Sequence, residues 1–109
     1  MVRFLAQYDE DADTLTVSRV VVPVDTRKVT TPGEIQVTVD QDATQVYRVE
    51  IPNFLERVGF VEIYLLFGPD GVRQIARLQD DLTFGTAELD MPDAPLRPRS
   101  SGRKLLLSA

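Results

Sequence analysis

The sequence predicts an α+β fold: an antiparallel β-meander of four to five strands, followed by one or two helices and an irregular basic C-terminal tail. Two observations carry the strand prediction. Apolar and polar residues alternate with a period of two in several segments of the first half, as in half-buried strands. Short acidic stretches separate these segments, and aspartate favours turns because its side chain bonds to nearby backbone groups. Proline and glycine then mark a change of pattern from residue 52 onward, which predicts the helices.

The first two strands are predicted on either side of an acidic turn at residues 9–13. Residues 2–8 alternate between apolar and polar positions, which is typical of a strand. Residues 14–22 are rich in β-branched side chains, which favour a second strand. The apolar set of this second strand changes phase by one residue, and this predicts a β-bulge near Ser18 and Arg19.

A β-hairpin is predicted in the middle of the chain. Residues 34–39 and 45–51 both alternate cleanly, and the short polar turn 40–44 joins them. Between the second strand and this hairpin, prolines and a glycine mark a connection. Part of that connection, residues 28–30, is predicted to add a short edge strand.

The second half of the chain predicts helices. Pro52 suits the first turn of a helix, which we expect over residues 53–67 and closed by Gly68. Residues 61–65 are equally consistent with a fifth strand. Asp70 is a suitable N-cap for a second helix that ends near residues 81 and 82. The apolar residues predicted to share one face of this second helix are Val72, Ile75, Ala76 and Leu82.

Length and composition limit the function classes. The chain has 109 residues, so we expect one domain over residues 1–91 and a separate tail over residues 92–109. The absence of cysteine and histidine excludes Ser-His-Asp and Cys-His triads and the usual zinc sites. We expect no cofactor. No apolar run is long enough to span a membrane, and no targeting segment is evident, so we expect a cytoplasmic protein.

Charge is distributed unevenly along the chain. Residues 1–93 contain 8 basic and 17 acidic residues, a net charge of −9, whereas residues 94–109 contain four basic residues and no acidic one. An acidic body disfavours nucleic-acid binding, which begins with neutralisation of phosphates. We therefore expect a protein partner or self-association, with an ordinary solvated surface as the simplest alternative.

The tail holds the candidate partner-binding residues. Three prolines and a serine-glycine stretch leave it too little apolar surface to order itself, yet it ends in three consecutive leucines. The cations offer long-range attraction, and the leucines offer surface to bury against a protein groove. A terminus without a role is the alternative. The candidate residues are Arg97, Arg99, Arg103, Lys104, Leu105, Leu106 and Leu107.

Three acidic residues have the spacing that begins a calcium loop: Asp9, Asp11 and Asp13. That loop also requires a glycine at its sixth position and a glutamate at its twelfth, but Thr14 and Val20 stand there. We therefore expect a hairpin turn and no specific metal site.

Other residues that catalysis or ligand binding would use have simpler structural interpretations. Two carboxylate pairs, at residues 80–81 and 88–90, are of the kind that glycosidases use, but nothing places them in an apolar pocket. They are interpreted as solvated side chains. Tyr8 and Tyr47 fall on predicted core faces, where packing is a more common role than ligand binding. No catalytic residue is predicted.

The stretches YDEDADTLTV (residues 8–17) and VDQDATQVYRVEI (residues 39–51) resemble a small bacterial family, domain of unknown function 2283. The family pattern is matched in its first hairpin at Tyr8, Asp9, Asp13, Leu15 and Val17. It is matched in the second at Asp40, Asp42, Glu50 and Ile51.

The resemblance covers about residues 2–58. The family usually has glycine in the second turn, where Ala43 or Thr44 stands here, and often before the terminal Ile-Glu-Ile, where Arg48 stands. The resemblance implies a small antiparallel sheet followed by a helix, and no catalytic residue. Some members lie beside toxin-like proteins, which implies an antitoxin role.

The sequence as a whole favours a non-enzymatic protein-interaction domain, of the antitoxin or immunity type, with a small toxin as partner. A basic partner would suit the acidic body, because complementary charge speeds encounter. One alternative is a small-ligand-binding module or a weak carboxylate enzyme on the open sheet face. The other is a structural component of a phage or multisubunit assembly.

Overall fold

The computed structural model describes residues 2–57, 59–80 and 86–91. These residues form one six-stranded antiparallel sheet and one long helical element, so the predicted α+β class is confirmed. In chain order the elements are β1 Val2–Asp9, β2 Thr14–Arg19, β3 Thr26–Thr30, β4 Gln36–Asp40, β5 Val46–Pro52, α1 Val61–Asp80 and β6 Thr86–Met91. The predicted tail, residues 92–109, lies outside the described residues.

The strands lie in the order β3-β4-β5-β2-β1-β6, and every neighbouring pair is antiparallel. Both predicted hairpins are present, as β1–β2 and β4–β5. The short edge strand expected around residues 28–30 is also present, as β3. The connection from β2 to β3 therefore crosses the ends of two other strands, because β5 is inserted beside β2.

The second strand is shorter than the sequence predicts. β2 ends at Arg19, which pairs with Phe4, and its pairing with β1 is continuous from Thr14 onward. The bulge predicted near Ser18 and Arg19 is therefore wrong. The apolar residues that follow Arg19 are exposed loop residues, and do not continue the strand in a new phase.

The sheet does contain an irregularity, between β4 and β5. Thr38 pairs with Arg48, but the next residue, Val39, pairs with Val46, so Tyr47 has no partner across the ladder. An extra residue of this kind is a β-bulge. As a result Val46 is buried and Tyr47 is only half-buried, so Tyr47 is less enclosed than its predicted core position implies.

The helix begins later than predicted. Pro52 is the last residue of β5, where it pairs with Thr14. Asn53 has a left-handed backbone with a φ of 52°, and the backbone N–H of Phe54 donates to the carbonyl of Asp13 at 3.0 Å. The backbone after Pro52 is therefore bound to the β1–β2 turn, and the helical residues begin only at Val61.

The helical element consists of two segments. Gly68 has non-helical dihedral angles, with φ of 76° and ψ of −174°, so it separates residues 61–67 from residues 69–80. The predicted end of the first helix at Gly68 is thus correct in position. The predicted N-cap is wrong, because Pro69 already lies within the second segment and Asp70 instead accepts a hydrogen bond from Arg73 at 2.7 Å.

The second helical segment contributes Ile75 and Leu78 to the core, and Val72 packs partly against it. Ile75 and Val72 are therefore placed as predicted, and Leu82 lies outside the described residues. No helix among residues 2–57, 59–80 and 86–91 is long and apolar enough to cross a bilayer.

The last strand, β6, is not predicted by the sequence analysis. It pairs with β1 along its whole length and places Leu89 and Met91 in the core. Its residues do alternate in the strand period, with Ala87, Leu89 and Met91 on the inner side.

One face of the sheet and both helical segments share a single core. The largest fully buried side chains include Phe4 and Leu15 from the sheet, Phe54 from the loop, and Ile63 and Ile75 from the helix. Phe67 packs edge-on against Phe4, with ring centroids 5.5 Å apart. Since side chains alternate along each strand, the opposite face carries mostly polar residues. One row across all six strands of that face is Lys28, Thr38, Arg48, Ser18, Leu5 and Glu88.

Candidate functional site

All seven residues predicted to bind a partner lie outside the described residues, so the structure does not place Arg97, Arg99, Arg103, Lys104, Leu105, Leu106 or Leu107. The other residues singled out from the sequence can be located. They occupy the two acidic turns, the sheet and the end of the helix.

The first acidic turn is held together by its own carboxylates. Asp9 Oδ1 accepts hydrogen bonds from the backbone N–H groups of Asp11 and Ala12, at 3.0 and 3.3 Å. Asp13 Oδ1 accepts the Tyr8 hydroxyl at 2.7 Å and the Leu55 backbone N–H at 3.1 Å. Asp9 and Asp13 thus act as turn-stabilising acceptors. Among the described residues, no group of three or more carboxylates is placed to hold a metal ion.

Tyr8 is part of this turn and does not behave as a free phenol. Its ring packs against Phe54, with centroids 6.0 Å apart. The hydrogen bond from its hydroxyl to Asp13, together with partial burial and the negative charges of the turn, raises the pKa of Tyr8 to about 12. A phenol with so high a pKa is a poor general base at neutral pH. Tyr8 is therefore a structural residue.

The second acidic turn has the same construction. Asp40 Oδ1 accepts the backbone N–H groups of Thr44 and Gln45, at 2.7 and 3.1 Å, and its other oxygen accepts the Thr44 hydroxyl at 2.6 Å. The hydrogen bond from the Thr44 hydroxyl is the main reason why the pKa of Asp40 lies below its usual value. The left-handed φ of 56° at Ala43 completes the turn.

The carboxylate pair Glu88 and Asp90 is not arranged for acid–base catalysis. Glu88 and Asp90 both lie near the guanidinium of Arg3, at 3.7 and 3.8 Å, and all three side chains are more than half exposed. Such ion pairs are solvated and contribute little. Asp80 is exposed at the end of the helix, and its predicted partner Asp81 lies outside the described residues.

The described surface includes two concavities near residues discussed above. One, of about 510 Å³, is an open polar depression lined by Gln7, Tyr8, Asp9, Glu10 and Thr16. A small-ligand site of the usual kind is enclosed and mostly apolar. The depression has neither property, and the hydroxyl of Tyr8 is already engaged by Asp13.

The second concavity, of about 240 Å³, lies where the helix begins. Its polar groups have intramolecular partners. Glu62 accepts the Thr31 hydroxyl at 2.6 Å and the Gly33 backbone N–H at 3.0 Å. Arg57 donates to the carbonyls of Pro52 and Gly33. These contacts fix the β3–β4 connection to the helix, and their role is structural.

The most prominent surface feature is the loop Val20–Val24, between β2 and β3, which we name the valine loop. Relative exposure is 68% for Val20, 76% for Val21 and 103% for Val24. Pro23 is also exposed. Single exposed apolar residues are common, but a continuous apolar run that meets solvent marks an interaction site or an aggregation-prone site.

Both ends of the valine loop are anchored. At its start, Arg19 donates a hydrogen bond from Nε to the Val46 carbonyl at 2.9 Å. The guanidinium carbon of Arg19 lies 4.8 Å from the ring centroid of Tyr47 and 5.5 Å from that of Phe4. At its end, Asp25 accepts a hydrogen bond from Gln41 at 3.0 Å. The loop is thus presented from fixed positions beside the β4–β5 turn.

A second apolar surface lies on the first helical segment. Val61, Tyr64 and Leu65 are 72%, 53% and 45% exposed. Spacings of three and four residues place these side chains on one side of the helix. We name this group the helix patch. The opposite side of the same segment, with Ile63 and Leu66, is buried in the core.

The sequence analysis missed both apolar surfaces. Residues 20–22 of the valine loop were assigned to the second strand because they are β-branched. The helix patch lies in residues 53–67, which were predicted to be helical, with a strand over residues 61–65 as the alternative. A sequence signal for the end of the strand was present, because Val20-Val21-Val22 is followed by Pro23 and proline disfavours continuation of an inner strand.

No protein-family model, curated protein or solved structure matches this chain. The resemblance of residues 2–58 to domain of unknown function 2283 is neither supported nor contradicted by these comparisons, and it stays a prediction.

Proposed function

We propose that this chain is a non-enzymatic protein-interaction domain and that the valine loop is its principal contact with a partner. The single observation that supports this is the exposure of the four valines on one anchored loop. Burying a valine side chain contributes about 1.5–3 kcal/mol. Covering several of them therefore contributes part of the binding free energy, and contacts around the loop must supply the rest.

The charges around the loop define the chemistry of the partner. Asp25 is exposed at the end of the loop, and Asp42 is exposed in the β4–β5 turn, whose Gln41 contacts Asp25. The described residues as a whole carry 15 acidic and 8 basic side chains, a net charge of −7. The complementary surface is an apolar groove with a basic rim. Opposite charges of this kind raise association rates more than they raise affinity.

A small basic toxin or nuclease would suit the acidic body, because complementary charge speeds encounter. An antitoxin or immunity-type role is therefore the form of the proposal that we favour. The resemblance to domain of unknown function 2283 supports that form. The cytoplasm is the compartment that we propose. The tail residues 97–107 are proposed as a second contact.

A site-specific photocrosslinking experiment tests the proposal. Benzoylphenylalanine is placed at Val24 and, as a matched control, at Arg73, which is exposed on the second helical segment. The full chain is expressed in its native host, irradiated and analysed by mass spectrometry. We expect one heterologous basic protein to be crosslinked from position 24 and not from position 73.

The affinity of the purified partner for the purified chain and its variants is then measured by titration calorimetry. Val21→Asp should weaken binding at least tenfold, because it places a charge within the apolar contact. Arg73→Asp should leave binding unchanged. Equal crosslinking from both positions would refute the role of the loop, and crosslinking only to a second copy of the chain would favour a structural assembly instead.

A further inference from the structure

The two edges of the sheet differ in how their backbone groups are bound. At the β6 edge, the side-chain amide of Gln74 donates to the Asp90 carbonyl at 2.7 Å and accepts the Asp90 N–H at 3.2 Å. Gln74 thus makes the two hydrogen bonds that a neighbouring strand would make with this residue. Covering an edge in this way is one means by which natural sheets avoid unwanted strand pairing.

The other edge strand, β3, has backbone groups that face outward. In an antiparallel ladder, pairs that exchange hydrogen bonds alternate with pairs that do not. The Thr31 N–H donates to the Ile35 carbonyl at 2.8 Å, and this pair continues the β3–β4 register. Alternation from this pair places the N–H and C=O groups of Lys28 and Thr30 on the outer side of β3. No residue in the ranges 2–57, 59–80 and 86–91 bonds to these four groups.

The charges of β3 disfavour a second copy of the chain as the occupant of this edge. β3 contains Arg27 and Lys28, both exposed, and no acidic residue. Two copies of β3 paired along their full length about a two-fold axis would place Lys28 opposite Lys28, and like charges directly opposite destabilise a sheet. β6 of a second copy offers fewer backbone groups, because those of Asp90 are bound to Gln74.

We propose that β3 binds an extended acidic segment of another protein, which adds to the six-stranded sheet as a further antiparallel strand. The four outward groups of Lys28 and Thr30 supply the backbone hydrogen bonds of this recognition mode. Successive side chains point to opposite faces of a sheet, so an added strand meets Arg27 on one face and Lys28 on the other. Two adjacent carboxylates in the segment therefore face both cations. This edge is distinct from the valine loop and does not depend on the partner proposed for that loop.

The Lys28 ammonium is available to such a segment. It lies 3.9 Å from Glu50, which also binds Arg48 at 3.2 Å, and the Lys28 side chain is more than half exposed. An exposed ion pair of this kind contributes little to stability. Glu50 is on β5, two strands inside the edge, so a carboxylate on an added strand approaches Lys28 from the other side.

The net charge of −7 of the described residues opposes an acidic segment only at long range. At physiological ionic strength, salt screens interactions between exposed charges beyond about 8 Å. Cross-strand neighbours are closer than this, with Cβ atoms about 4.5–5.5 Å apart. The local cations of β3 therefore decide which segment binds, and the test belongs at physiological salt.

Nuclear magnetic resonance of the full ¹⁵N-labelled chain tests the proposal with a synthetic peptide, acetyl-Thr-Val-Glu-Glu-Val-Thr-amide. Antiparallel to β3, its two glutamates can lie opposite Lys28 and Arg27. We expect the peptide to shift the amide signals of Lys28 and Thr30 and to slow their hydrogen exchange at least tenfold. The Asp90 amide on the other edge should not change. The same peptide with Gln-Gln in place of Glu-Glu should bind at least tenfold more weakly.

A charge exchange tests the contact with Lys28. Lys28→Glu should weaken binding of the Glu-Glu peptide at least tenfold. It should gain binding to a peptide whose first glutamate, opposite residue 28, is replaced by lysine. Arg73→Glu, an exposed position on the second helical segment, is the matched control and should leave binding of the Glu-Glu peptide unchanged. The gain of binding shows that the variant is folded.

Several results would overturn the proposal. One is the absence of shifts at Lys28 and Thr30 with millimolar peptide, and another is equal binding of the Glu-Glu and Gln-Gln peptides. Shifts centred on the valine loop would place the peptide elsewhere. Slow exchange of the Lys28 and Thr30 amides without peptide would show that the edge is already occupied. If that protection increased with protein concentration, a second copy would be the occupant.

Discussion

Asp13 connects the β1–β2 turn to the loop that precedes the helix, and its removal should destabilise the whole domain. Its carboxylate accepts the Leu55 backbone N–H and the Tyr8 hydroxyl, and its carbonyl accepts the Phe54 N–H. Its backbone is left-handed, with a φ of 49°. Asp13→Ala removes the carboxylate and introduces a residue that tolerates the left-handed conformation less well than aspartate does.

The size of the effect follows from two contributions. Alanine in a left-handed conformation costs about 1–2 kcal/mol, whereas aspartate and asparagine tolerate it better. Loss of an acceptor for a partly exposed backbone N–H costs about 1 kcal/mol. We therefore expect Asp13→Ala to lower the free energy of unfolding by about 2–3 kcal/mol. Asp13→Asn keeps the oxygen and the backbone preference, so its loss should be about 1 kcal/mol or less.

Urea denaturation followed by circular dichroism measures this difference. With a slope of about 2 kcal/mol per molar, Asp13→Ala should move the midpoint down by about 1–1.5 M at unchanged slope. Asp11→Ala is the matched control, because Asp11 is exposed in the same turn and its own φ is not left-handed. A midpoint for Asp13→Ala equal to that of Asp11→Ala would refute the assigned role of Asp13.

Three further predictions concern single residues. The pKa of Tyr8 is about 12 in the folded protein against an ordinary 10.0. The protonated Tyr8 hydroxyl therefore stabilises the fold below pH 10, and this stabilisation is lost as the pH rises from 10 to 12. Absorbance titration should show this late ionisation in the wild type and not in Tyr8→Phe. Ala43→Gly should stabilise the domain by about 0.5 kcal/mol, because Ala43 has a left-handed φ of 56°, which glycine adopts without strain. Asp42→Gly in the same turn should not stabilise it, and the denaturant midpoints of the two variants test this difference. Gly71→Ala should destabilise by about 1–3 kcal/mol, although alanine favours helix, because the added methyl meets Cβ of Phe67. A melting temperature for Gly71→Ala at or above that of the wild type would contradict this packing.

The sequence predicted the parts of the fold that local chemistry determines. The hairpins β1–β2 and β4–β5 each combine a period-two pattern with an aspartate that binds the turn backbone, Asp9 in one and Asp40 in the other. Both signals lie within about ten residues. The pairing of β2 with β5, by contrast, depends on contacts between residues 30 to 38 positions apart, which no local pattern contains.

The start of the helix shows how a tertiary contact overrides local propensity. Pro52 and the residues after it have an acceptable helix-start sequence, but the N–H groups of Phe54 and Leu55 donate to Asp13, more than 40 residues earlier. Those groups are therefore not available to a helix that starts at residue 53. The interhelical turn at Gly68 was predictable, since glycine and proline act locally.

The valine loop is exposed because the pairing of β2 with both of its neighbouring strands stops before residue 20. On one side of β2 the last pair is Phe4 with Arg19, and on the other it is Ser18 with Arg48, just before the bulge at Tyr47. Beyond Arg19 the chain has strand-forming side chains without strand partners.

An unpaired β-branched run of this kind is an aggregation hazard, which natural sequences usually interrupt with charges. Here no charge interrupts residues 20–24, and the nearest ones are Arg19 and Asp25 at the two anchors. The partner that we propose would cover this run and so remove the hazard. The exposure of the valine loop therefore supports an interaction role more strongly than any charge or turn motif in the chain.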